Sequence, residues 1–151
     1  MIPSRSICRA VVVGVVSAVL STAAIAGACP EDQVLSEPRD LGTVSGEGVQ
    51  VSVRDTIDLE GWRDMGPVRM RMREFIIAPG GRVPLHSHSD RPSILYFISG
   101  VATEHNSLCG VPITHKAGES AAEFGADIVH WWSNESDVPA VLLSVDIIPT
   151  K

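Results

Sequence analysis

The segment RVPLHSHSDRPSILYFISG, residues 82–100, places His86 and His88 one residue apart. In an extended strand the side chains at i and i+2 share a face, so both imidazoles can be offered to one ion. Two rings do not hold a transition metal firmly; a third protein ligand has to come from another part of the chain. His130, in IVHWWSN with Asn134 four residues later, is the candidate. Its apolar and aromatic neighbours imply burial, and a buried histidine either ligates a metal or is satisfied by hydrogen bonds alone. The residues by themselves leave both readings open.

Other groups can complete such a site. Asp90, Glu104, Glu123 and His115 are candidates for a further ligand. Glu104 lies just after Gly100, where it either reaches inward or makes an exposed salt bridge. His105, its neighbour, must face the opposite way. His115 stands beside Lys116 in an expected loop and is read as solvent-exposed. Arg91 is close to the histidine pair, suited to clamping the carboxylate of a substrate or to a salt bridge at the rim. Alternation places Trp132 on the same face as His130, with Leu95 and Phe97 opposite, as a pocket wall or as core. No acid/base pair or nucleophile stands out, so the catalytic residue is unknown.

The elements that must position these residues are strands. The pairs Val49, Val51, Val53 and Val68, Met70, Met72 alternate with polar residues at a period of two, which predicts half-buried strands. Arg69, Arg71 and Arg73 then fall on a solvated outer face, with a slip at Glu74-Phe75 able to turn Arg73 or Glu74 inward. Further β-rich runs occupy 94–99, 101–105, 120–124, 128–133 and 140–148, separated by glycine and proline turns, and no helical stripe exceeds two turns. Many short strands at this spacing predict an all-β antiparallel sandwich or barrel.

Residues 1–28 read as an export signal: Arg5 and Arg9, an apolar run from Ala10 to Ile25, then Ala26-Gly27-Ala28. Its removal leaves 123 residues, enough for a single domain, and no spanning segment. The arm 29–48 is broken by prolines and glycines, and the domain is expected over 49–151. The formal charge of −6 becomes −8 without the two arginines, with no basic cluster, so nucleic acid is excluded as the expected partner and a small molecule is favoured. Cys8 leaves with the signal, and a Cys29–Cys109 disulfide is expected in a periplasmic or extracellular compartment. Two unpaired cysteines, or lipidation of Cys29 behind Ala-Gly-Ala, are the alternatives.

The order of these residues resembles the cupin superfamily. Gly80, His86, His88, Ser93 and Gly100 have the spacing of its first motif, and Gly118, Gly125, His130 and Asn134 that of its second, with 17 residues between Gly100 and Gly118. The resemblance spans roughly residues 68–148. It implies a single jelly-roll β-barrel and one divalent transition metal, Fe, Mn, Zn, Ni or Cu, held by His86, His88 and His130. Dimerisation through the sheets is a further implication. Ser93 departs from the pattern, standing where the family has a metal-ligating glutamate, and Gly125 and Asp127 replace the second motif's proline and glycine. A serine hydroxyl is a poor ligand, so such a site keeps the ion's full charge and favours anions. The expected function is a metal-dependent enzyme of oxygenase, isomerase or hydrolase type acting on a small anionic organic molecule, or else a non-catalytic binder of a metal or small ligand. Arg91, Ser93, Glu104 and Trp132 are the residues expected to touch that molecule.

Overall fold

A computed structural model describes residues 28–150; the expected signal, up to Gly27, lies outside the described residues. Six strands carry the chain: β1 (Glu47–Asp58), β2 (Val68–Ser99), β3 (Val101–Asn106), β4 (Ile113–Lys116), β5 (Ser120–Ser133) and β6 (Ala140–Pro149). Single 3-10 turns at Glu31–Gln33 and Trp62–Asp64 are the helical segments among the described residues. No helix among them is long and apolar enough to cross a membrane. All strand pairings are antiparallel, as the alternation predicts.

The long β2 wraps the barrel. Its first part, Val68 to Ile77, runs between β1 and β6; its middle pairs with β5; and Ser93 to Ser99 returns to the other edge of β6. Gly100 ends this run at φ 73°, and a Cβ there would meet the Pro139 carbonyl oxygen at 2.4 Å. Only glycine fits the turn. The core is built from Ile77, Leu95, Phe97, Ala102, Trp132, Ala140 and Leu142.

Arg71 and Arg73 face inward rather than onto the expected solvated outer face, whereas Arg69 pairs with the exposed Asp58. The β2–β6 register is unbroken from Val68↔Pro149 to Ile77↔Ala140, so Arg71 and Arg73 share a face with Phe75 and Ile77. No slip occurs in that pairing. Met72 faces outward at 37% exposure, and Val51 and Val53 of the terminal strand β1 are exposed rather than half-buried. What makes inward arginines tolerable is Asp146 on β6, whose carboxylate accepts from Arg71 Nε (3.1 Å) and Nη2 (2.8 Å) and from Arg73 Nη2 (2.7 Å). Alternation alone does not reveal a partner 75 positions away.

The arm ahead of β1 is extended and held to the barrel by Leu35 N–H donating to Leu108 C=O (2.9 Å) and Arg39 N–H donating to Ser107 C=O (2.9 Å). Cys29 and Cys109 form the expected disulfide, with Cα atoms 5.8 Å apart. Closing a loop of 80 residues removes entropy worth roughly 4 kcal/mol from the unfolded chain in the loop-closure account. Replacing both cysteines with serine should therefore lower the melting temperature by on the order of 10 °C. An unchanged melting curve by calorimetry would show that the bridge only pins the arm.

Candidate metal centre

His86 on β2 and His130 on β5 are direct cross-strand partners, and directly paired residues project to one face. His88 joins them through a register shift between Ser87 and His88, opposite Gly125. The three ring centroids lie 4.6 to 5.0 Å apart, and His86 Nε2 is 3.1 Å from His130 Nε2. His88 and His130 are buried, and His86 is partly so.

The outer nitrogens settle which atom of each ring carries the proton. His86 Nδ1 donates to the Pro84 carbonyl (2.8 Å) and His88 Nδ1 to the Arg91 carbonyl (2.8 Å). His130 Nδ1 donates to Glu104 Oε1 (2.7 Å). A carbonyl or carboxylate accepts, so each Nδ1 carries its hydrogen, and in the neutral ring each Nε2 then presents a lone pair. Burial lowers the His86 and His88 pKa values to about 4, leaving both rings neutral at pH 7, the form that ligates a metal. Three lone pairs then converge without a hydrogen among them, an arrangement that repels unless a cation stands between. The residues present fit a divalent transition metal.

Glu104 and His115 support the site from behind. Glu104, 5% exposed, accepts from His130, from His115 Nε2 (3.1 Å) and from Asn106 Nδ2 (2.8 Å). Burial alone would raise its pKa, but the hydrogen bonds from His115 and His130 win and hold its carboxyl well below the usual range. His115 is not in a solvent-exposed loop: it is fully buried on β4, stacked on Phe97 at 5.2 Å. Apolar cover from Phe97 and Trp132 makes room for it, and Glu104 satisfies its Nε2 proton. His105 points the other way, stacked on Trp131, as alternation requires.

A cavity of about 30 Å³ adjoins the histidines, lined by Arg73, Arg91, Glu123, Trp132 and the apolar side chains of Phe75, Val83, Leu95 and Leu142. That is room for about two water-sized groups. The Nε atoms of Arg73 and Arg91 are buried and have no hydrogen-bond partner. Of the four residues expected to touch a ligand, Arg91 and Trp132 line this cavity. Ser93 and Glu104 do not, because Glu104 is turned toward His130 Nδ1 and the Ser93 hydroxyl donates to Glu123 Oε2 (2.7 Å). Asp90 is exposed and lines no part of this cavity. Arg73 also joins the site, the inward placement that the sequence left as an alternative, and it does so through its shared parity with Phe75 and Ile77 rather than through a slip.

Comparison with known proteins agrees with this architecture. Residues 73–146 match the family described as a cupin domain. A cupin domain from Bordetella pertussis Tohama I superposes with a TM-score of 0.50 at 22% identity, covering 67% of this chain and 94% of that one. An oxalate oxidase in complex with the substrate analogue glycolate gives 0.50 at 19% identity, over 68% of this chain and 55% of the oxidase, so this chain spans little more than half of that protein. A cupin 2 conserved barrel domain protein from Salinispora arenicola CNS-205 gives 0.49 at 18%, over 73% and 85%. No curated protein sequence matches the chain significantly. At these identities the structural likeness is one of fold. With the family match running from Arg73 to Asp146 and enclosing all three histidines, the chain belongs to the cupin superfamily.

Proposed function

We propose that this protein is an exported, metal-dependent cupin enzyme that takes a small carboxylate at His86, His88 and His130. The observation that carries the metal is the convergence of three Nε2 lone pairs whose Nδ1 hydrogens are already engaged. The observation that carries the carboxylate is the pair of arginines, Arg73 and Arg91, that line the same cavity, each with a buried Nε that has no hydrogen-bond partner. Guanidinium groups match carboxylates in charge and geometry. The small cavity supports a small occupant, and its apolar walls limit water at the histidines.

A divalent ion held there supplies Lewis acidity toward a bound oxygen. The chain's own part is to keep the rings oriented, with His86 and His88 held neutral by burial. Glu104, fixed by His115 and Asn106, holds the His130 proton at Nδ1, while Arg73 and Arg91 set the anion's position. Export is supported by the Cys29–Cys109 bridge, which suits an oxidising compartment and leaves Cys29 without a free thiol for lipidation. Pairing of two copies is supported by the apolar outer face, where Ile94, Tyr96 and Phe124 are 60%, 50% and 65% exposed.

Non-catalytic binding is the second reading. It is favoured by one observation: neither carboxylate beside the histidines is free to move as an acid or base, because Glu104 is held by His115 and His130 and Glu123 is tied at Oε2 to the Ser93 hydroxyl.

The test is metal analysis of residues 29–151 purified from an exporting host, with melting curves before and after chelation and in a panel of two- to four-carbon carboxylates. One ion per chain and a carboxylate-dependent rise in melting temperature are expected. Arg91→Met should weaken carboxylate binding by about 10- to 100-fold, the value of a charge-assisted hydrogen bond, with metal content unchanged. Product formation separates the enzyme from the binder. Background metal with no response to chelator would end both readings.

A further inference from the structure

Glu123 is a buried carboxylate with an unspent oxygen. It sits on β5 at 5% exposure, directly across the strand pair from Ser93. Its Oε2 accepts from the Ser93 hydroxyl (2.7 Å) and lies 3.1 Å from His88 Nε2. Its Oε1 lies 3.5 Å from His130 Nε2 and has no hydrogen-bond partner; neither has His88 Nε2. His88 Nδ1 is engaged by the Arg91 carbonyl, which leaves Nε2 to face the carboxylate. A ring nitrogen and a carboxylate oxygen thus stand side by side at the spacing of two ligands on one ion.

The separations say what is wanted. Two ligands on one ion with bonds of about 2.1 Å stand roughly 3 to 3.4 Å apart at right or tetrahedral angles. The pairs His86–His130, His88–Glu123 and His130–Glu123 measure 3.1, 3.1 and 3.5 Å.

We propose that Glu123 is the fourth protein ligand of the metal site, a carboxylate supplied from β5 across the strand pair, with Ser93 positioning it through the hydroxyl hydrogen bond. This rests on the three-histidine reading above. It also revises the consequence drawn from Ser93. The position on β2 carries a serine and no carboxylate, but its cross-strand partner brings one to the same level of the barrel, because directly opposed residues share a face. The ion's charge is partly neutralised, and attraction for an anion then falls to Arg73 and Arg91.

The experiment uses residues 29–151 with Co(II) as probe, reading affinity by chelator competition and the ligand set by visible absorption. Glu123→Gln should weaken Co(II) by about 100-fold or more, beyond what an outer-shell partner gives, and should alter the spectrum. Ser93→Ala should weaken it by about 10-fold with the spectrum retained, as a positioning residue would. The exchange Ser93→Glu with Glu123→Ser keeps one carboxylate at that level and should recover most of the affinity. If Glu123→Gln, folded by circular dichroism, binds Co(II) with wild-type affinity and spectrum while His130→Ala does not bind, the three-histidine site stands and the Glu123 assignment falls. If wild type takes no Co(II), both fall. If Glu123→Gln does not fold, the exchange variant decides: wild-type-like binding supports the assignment, and a folded exchange variant without Co(II) overturns it.

Discussion

His130→Ala is expected to reduce bound metal from about one ion per chain to background and to remove any turnover. Its melting curve should no longer respond to chelator. His130 is the one histidine of the set drawn from β5, so its loss leaves the adjacent pair on β2 with only the Glu123 carboxylate across from it, a set too incomplete to keep the ion. The variant should remain folded. The ring's hydrogen bond to Glu104 is lost, but His115 and Asn106 still donate to that carboxylate, so the stability loss should stay within about 1–3 kcal/mol. His105→Ala is the control, since His105 stacks on Trp131 and faces away from the site. Wild-type metal content in His130→Ala, measured by elemental analysis, would show that the ion, if any, sits elsewhere.

Asp146→Ala should be the most destabilising polar substitution in the barrel. The carboxylate is fully buried and answers two guanidiniums, bidentate to Arg71 and single to Arg73. Removing one partner of such a pair leaves uncompensated charge and costs about 3–5 kcal/mol; the lower end applies, because Arg71 and Arg73 keep 22% and 16% exposure. Urea unfolding measures it directly. Replacing all three together, with Arg71→Met, Arg73→Met and Asp146→Leu, should bring stability back close to wild type. Carboxylate binding should still be lost in that triple variant, because Arg73 lines the cavity. A single Asp146→Ala variant with an unchanged midpoint would mean that the cluster is solvated and that the inward arginines need no partner.

Much of the site's location was legible from residue spacing. His86-x-His88 on a strand and His130 beside apolar residues have burial and parity that follow from period-two alternation, as do the inward Trp132 and outward His105. The cysteine pair followed from counting. These depend on local geometry, which a strand enforces over two or three residues at a time. The face taken by Arg69, Arg71 and Arg73 was not legible, since alternation defines two faces without saying which is inner. Phe75 and Ile77 held the clue, but it was outweighed by the charge of the row and the assumption of a slip.

What the amino-acid sequence determined by itself was the period, the all-β class and the three histidines able to meet. Only the tertiary structure decided which carboxylate serves which ring: Asp146 against Arg71 and Arg73, Glu104 behind His130, and Glu123 opposite Ser93. The reason is register. A strand's own residues state which side chains share a face, but not which residue of a distant strand lies opposite. A shift of one position would replace Glu123 with a neighbour facing the other way.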